Sequence, residues 1–208
     1  MFKYDKKVDL WSKDKIKNLD VIWGNSITKQ RNDRKSFLFP FLINYLNGYL
    51  EKYGDSFIKR FNDLTGLSFK IDDFKYYINS TNISLHNGTE EYISIGLNHS
   101  FIAYPTIIIH EISHLYFYKY IDSENFLKYN KVVKTSDLIS EKEQNELKEI
   151  ITVIINKEFA DIIYKFDDGY PHHKDIRKEV LKLWTERKPN FDKWISEVIK
   201  IYKKRVAS

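Results

Sequence analysis

The sequence predicts an α+β fold: a small, mainly antiparallel sheet packed on a buried helix, with a helical C-terminal subdomain. Three observations carry this. Apolar residues recur about every four positions before residue 65 and again after residue 140, they alternate between residues 67 and 97, and the stretch from Pro105 to about Tyr120 is apolar almost all round. A chain of 208 residues, 42% hydrophobic and 30% charged, suits one domain with a sizeable core. The sequence has no cysteine, which excludes a disulfide framework, an iron–sulfur cluster, a thiolate zinc site and a cysteine nucleophile.

Residues 1–35 are charged, with scattered aromatics (Trp11, Trp23), and read as an arm or helical lead-in to a single domain over 36–208. Phe37, Phe41, Tyr45 and Tyr49 then place a helix from Ser36 to about Tyr53. Gly54-Asp55 interrupts it, a second short helix runs to about Leu64, and Thr65-Gly66 closes that one. The period changes next: Leu67, Phe69 and Ile71, then Tyr76 and Ile78, then Ile83 and Leu85, then Tyr92, Ile93, Ile95 and Leu97. With Asn87-Gly88 as a hairpin signal, this segment holds about three strands. Pro105 suits the first turn of the buried helix. Ser140 and Glu143 form a capping box that opens a long helix to about Phe166, which Asp167-Asp168-Gly169-Tyr170-Pro171 ends. Two more helices, roughly 172–187 and 190–204, flank Lys188-Pro189-Asn190.

The N-terminus lacks the apolar stretch of a signal peptide, and the longest nearly apolar run, Phe101 to Ile109, is half a membrane span. A soluble, cytoplasmic protein without membrane association is expected. The formal charge is +5 and the pI about 9.0, with basic residues spread along the chain as a solvated surface would have them. A nucleic-acid-associated protein is the alternative that charge offers. Its strongest feature, the tail Lys200 to Arg205, also reads as a last helical turn whose cations suit the helix dipole.

Within the buried helix stands His110-Glu111-Ile112-Ser113-His114. Two histidines four apart share one helix face and can reach a single ion, as zinc requires of neutral imidazoles at about 2.0–2.1 Å. Glu111 is placed to take a proton from a water the metal activates, without ligating the metal itself. Flanked by Ile107-Ile108-Ile109 and Leu115-Tyr116-Phe117, these groups would cost several kcal/mol to bury unpartnered, and a metal is the obvious partner. A third histidine in the spacing HExxHxxGxxH is excluded, since Phe117 and Tyr120 occupy those positions. A carboxylate from the 140–166 helix remains. At 100° per residue, Leu147, Ile150, Ile151, Ile154, Ile155 and Ile162 define an apolar arc that contains Glu158 and Asp161, while Glu146 sits at its edge or beyond and Glu149 falls opposite. Glu158 is therefore the expected third ligand, and Asp161 the expected acceptor for the outer N–H of a ligating histidine.

The HExxH sequence with Asn156-Lys157-Glu158-Phe159-Ala160-Asp161 downstream resembles the gluzincin branch of the zincin metallopeptidases, over about residues 95–170. There the third ligand is a helical glutamate, usually followed four residues later by an aspartate; here the aspartate is three residues on. Asp168 to His173 is also similar to a segment of small uncharacterised bacterial zincin-like proteins. The resemblance implies a zincin-like fold and a zinc-dependent peptidase acting on peptides or proteins, with Zn2+ on His110, His114 and Glu158 and with Glu111 as general base. It further implies a second oxyanion donor, for which Tyr170 and His173 are the candidates. The substrate would add to an edge strand, either Tyr92 to Leu97 or Ile83 to Leu85. His86 and His99 read as surface residues of the sheet ends. A catalytically idle zincin-fold binding or regulatory protein is the other reading; the intact Glu111 favours turnover.

Overall fold

The computed structural model describes residues 2–8, 31–79, 81, 83–97, 99–187 and 190–207, and the side chains of all of these but 31–38 and 187. Trp11 and Trp23 lie outside the described residues. The strands are β1 (Lys3–Tyr4), β2 (Lys75–Asn79), β3 (Leu85–Asn87) and β4 (Tyr92–Gly96). The helices are α1 (Arg31–Thr65), α2 (Tyr104–Ile121), α3 (Glu124–Asn130), α4 (Glu141–Ile151), α5 (Ile155–Glu158), α6 (Lys174–Arg187) and α7 (Phe191–Val206). The architecture is α+β, and no described helix is long and apolar enough to cross a membrane.

The sheet is mixed rather than mainly antiparallel. Among the described residues its order is β1-β2-β4-β3; β1–β2 and β2–β4 are parallel, and only β3–β4 is antiparallel. The Asn87-Gly88 turn makes that hairpin. Residues 67–70, read as part of a strand, are an extended connection into a 3-10 turn at Ile71–Asp73. The residues ahead of 36 are not all an arm: Lys3–Tyr4 forms an edge strand, Phe2 is buried, and the Phe2 N–H donates to Asn47 Oδ1 at 2.7 Å.

Helix α1 is one element, not two. Leu42, Leu46, Tyr49, Leu50, Phe57, Ile58 and Phe61 form one buried stripe that runs past Gly54. Continuous packing outweighs the roughly 1 kcal/mol that a helical glycine costs against alanine. Gly54 is also used: a Cβ there would stand 3.1 Å from Ile71, so the glycine admits the returning chain. The helix ends as the sequence indicates, on Gly66 at φ +71, whose N–H donates to Asn62 O at 2.8 Å.

Helix α2 sits between two apolar clusters. Ile108, Ile112 and Tyr116 join the one built from α1 and the sheet, while Phe117, Tyr120 and Ile121 join the one built from α4, α6 and α7. This explains an apolar composition on every side. The long helix expected over 140–166 is broken. Its capping box is present, with Ser140 N–H donating to Glu143 Oε2 at 2.7 Å. However, α4 gives way at Thr152–Ile154 to a 3-10 turn, α5 adds one more turn, and residues 159–170 are irregular. The β-branched run from Ile150 to Ile155 has low helix propensity and marks the break.

Candidate metal centre

His110 and His114 stand one turn apart on α2, ring centroids 4.4 Å apart and nearly perpendicular. Both turn an Nε2 toward one carboxylate, which belongs to Glu149: His110 Nε2 to Oε2 is 3.3 Å, and His114 Nε2 to Oε1 is 3.3 Å. Glu149 is 13% exposed at its side chain, because the face of α4 opposite its apolar arc is covered by α2 instead of by water.

Glu158, the expected third ligand, is elsewhere. Its Oε1 accepts from the Trp184 indole N–H at 2.7 Å and its backbone carbonyl from Arg60 at 2.9 Å. Asp161, the expected outer partner, is 61% exposed and forms a two-pronged pair with Arg60 at 2.5 and 2.6 Å. Both corrections have one cause: the helical count presumed a single helix through residue 161, and the helix ends before it. Asp167 takes the outer role, its Oδ1 lying 3.2 Å from His110 Nδ1. With an ion in place of the Nε2 proton, this contact would hold the tautomer that ligates through Nε2.

Asp167 is itself held on three sides. Its backbone N–H donates to Asn156 Oδ1 at 2.7 Å, the Asn156 amide donates back to its carbonyl at 2.9 Å, and Arg177 Nη2 meets its Oδ2 at 2.8 Å. The buried Arg177 also donates to the Glu149 carbonyl at 2.6 Å and to Thr152 Oγ1 at 2.5 Å, so one guanidinium clamps the end of α4 to the Asp167 turn. Gly169 makes room for it. At φ +64, a Cβ there would lie 2.6 Å from the Arg177 guanidinium carbon. Asp167→Asn should therefore keep the fold, which Asn156 pins through the backbone, yet lower metal affinity about 10–100-fold, as titration with a competing chelator would read.

Glu111 is buried, one position round the helix, with Oε2 2.9 Å from His86 Nδ1. His86 is not a surface residue. It projects from β3 into the site, its ring centroid 4.6 Å from that of His114, and its Nε2 is 3.4 Å from Lys148 Nζ. Lys148 in turn stands 3.2 Å from Glu149 Oε1. His99 stays outside this group, half-buried, with Nε2 3.4 Å from Ser84 Oγ. Tyr170 is exposed at the rim, and its hydroxyl lies in the field of Glu149, Glu111, Asp167 and Glu146. His173 is buried and bound to Glu146 Oε2 at 2.7 Å, which removes it as a free donor.

The electrostatics are those of a cation site. Burial opposes the charge on Glu149, but hydrogen bonds with His110 and His114 hold its carboxyl far below the ordinary range. Burial likewise opposes a charged His110, yet Asp167 and Glu149 on its two nitrogens raise it to about 10. His114 is lowered to about 3 by burial and by the neighbouring His110 charge. Burial would raise Glu111, and His86 outweighs it, holding the carboxyl at about 2. The carboxylates converging on His110 draw positive charge into the core.

The donor spacing fits an ion. Each Nε2 lies 3.3 Å from a different oxygen of Glu149, near the roughly 3.3 Å between ligands of a tetrahedral ion, and one donor atom from each of the three residues falls within 4.8 Å of the others. Two overlapping groups, His110–His114–Glu149 and His86–Glu111–His114, could hold a metal. Sequence reasoning missed Glu149, Asp167, His86 and Arg177. Only His86 carried a local signal, standing in a hairpin strand beside the Asn87-Gly88 turn. Compared with known proteins, the chain matches no family model, no curated protein and no solved structure.

Proposed function

We propose that the protein is a zinc-dependent peptidase with a zincin-like fold, its ion held by His110, His114 and Glu149. One observation carries this reading: two imidazoles of an HExxH helix share one largely enclosed carboxylate, each Nε2 3.3 Å from one of its oxygens, with buried Glu111 beside them. Two imidazoles and one carboxylate suit zinc and leave a position open. Zinc, when bound, supplies Lewis acidity and activates water at neutral pH.

The chain's own residues do the rest. Asp167 keeps His110 in the ligating tautomer, and Arg177 keeps Asp167 and the end of α4 in place. Glu111, ionised and 2.9 Å from His86, accepts the water proton and returns it to the leaving amine. His86 fixes the direction of that carboxylate. Tyr170 at the rim supports a hydroxyl donor to the carbonyl oxygen as charge develops there. For the substrate, β4 is paired on both sides, and of the two edge strands, β1 and β3, it is β3 that carries His86 into the site and offers the edge for an added strand. A groove of about 730 Å³ lined by His86, Asn87, Tyr118, Gln144 and Asn145 continues from it. Digestion of a peptide library with and without chelator, alongside zinc analysis of the purified chain, is the test. Cleavage that stops on chelation and returns with zinc is expected, and cleavage indifferent to the chelator would remove the proposal.

A further inference from the structure

We propose a second, separate site for a divalent transition metal, formed by Glu146, His172 and His173. Glu146 projects from α4, one turn before Glu149; the two histidines come from the 3-10 turn Pro171–His173 that leads into α6. Neighbouring side chains in an extended chain diverge, but this turn brings the rings to 4.0 Å between centroids, both facing Glu146. One donor atom from each of the three residues falls within 4.8 Å of the others.

The spacing is close to that of a loaded site. Glu146 Oε2 lies 2.7 Å from His173 Nε2 and 3.9 Å from His172 Nε2. A shift of about 1 Å by one carboxylate oxygen makes both separations about 3.3 Å, the edge of a tetrahedral zinc site. That is within a small side-chain rotation. His173 is 5% exposed, and its buried Nδ1 has no hydrogen-bond partner, so this ring is held in the core without satisfying both nitrogens. Among the described ion pairs, Glu146 meets only these two imidazoles, whereas Glu149 has Lys148 as well. His172 is 66% exposed at its side chain and leaves the site open to solvent on one side. Two imidazoles in three donors select zinc, cobalt or nickel over calcium or magnesium.

Such an ion would fasten the turn carrying Asp167 and Tyr170 to α4, beside the HExxH centre but on other ligands. Its existence does not depend on the peptidase reading. The test is titration of the full chain with zinc chloride alone, followed by metal analysis after desalting. Glu146→Gln with His172→Ala should remove one bound equivalent both from the wild type and from Glu149→Gln. His172→Ala alone, at an exposed ring, should weaken that equivalent at least about tenfold with an unchanged far-UV spectrum. If neither variant changes the number or affinity of bound ions, the second site is overturned. If these variants lose an equivalent while Glu149→Gln loses none, this site stands and the HExxH reading falls.

Discussion

Glu111→Gln should leave zinc content unchanged and lower turnover about 10²–10⁴-fold, roughly 3–5 kcal/mol of barrier. The substitution changes little besides charge. Glutamine has the volume of glutamate, so the buried space between α2 and β3 stays filled, and its amide can still pair with His86 Nδ1, 2.9 Å away in the wild type. The ion's proposed ligands, His110, His114 and Glu149, are untouched. What is lost is a carboxylate held at about 2, whose negative charge survives burial because His86 pairs with it. The effect should therefore fall on kcat, with KM nearly constant. A variant that keeps zinc and full turnover would move the base to another group, and His86 is the nearest one placed to serve.

The parts of this site legible in the sequence are the local ones. A four-residue spacing puts His110 and His114 on one face whatever the tertiary structure, and an apolar surround marks α2 as buried. The Ser140–Glu143 box and the Asn87-Gly88 turn are likewise complete within a few residues. The illegible parts depend on what packs against what. Gly54 breaks a helix by propensity, yet α1 continues because its apolar stripe has a core to meet. The choice of Glu158 over Glu149 failed through two assumptions hidden in a wheel count. One was that the helix is continuous, which the break at Thr152–Ile154 denies. The other was that the face opposite an apolar arc meets water. Helix α4 is covered twice, by α6 and α7 on its apolar side and by α2 on its polar side. In such an element the polar face is where a buried site has to be. Asp167 and Arg177 were hidden for a related reason: they act from a turn and from a distant helix, and no periodicity links them to the histidines.

The carboxylates can be separated directly. Glu149→Gln should weaken zinc binding by more than the about 10–100-fold that an outer partner is worth, because it removes a ligand and not a support. Glu158→Gln should leave zinc affinity unchanged. Among the described residues its Oε1 accepts one hydrogen bond, from Trp184 at 2.7 Å, and glutamine can accept the same bond. The cost is the difference between a charged and a neutral acceptor, about 1 kcal/mol of stability. Asp161→Asn should be quieter still, since its pair with Arg60 is exposed and such pairs are worth about 0–1 kcal/mol. Competition with a chelator reads the affinities, and denaturant midpoints read the stabilities. Zinc lost from Glu158→Gln and kept by Glu149→Gln would restore the ligand set first expected. That result would also require the chain after Thr152 to pack differently, because Glu158 is turned away from the histidines, onto Trp184 and Arg60.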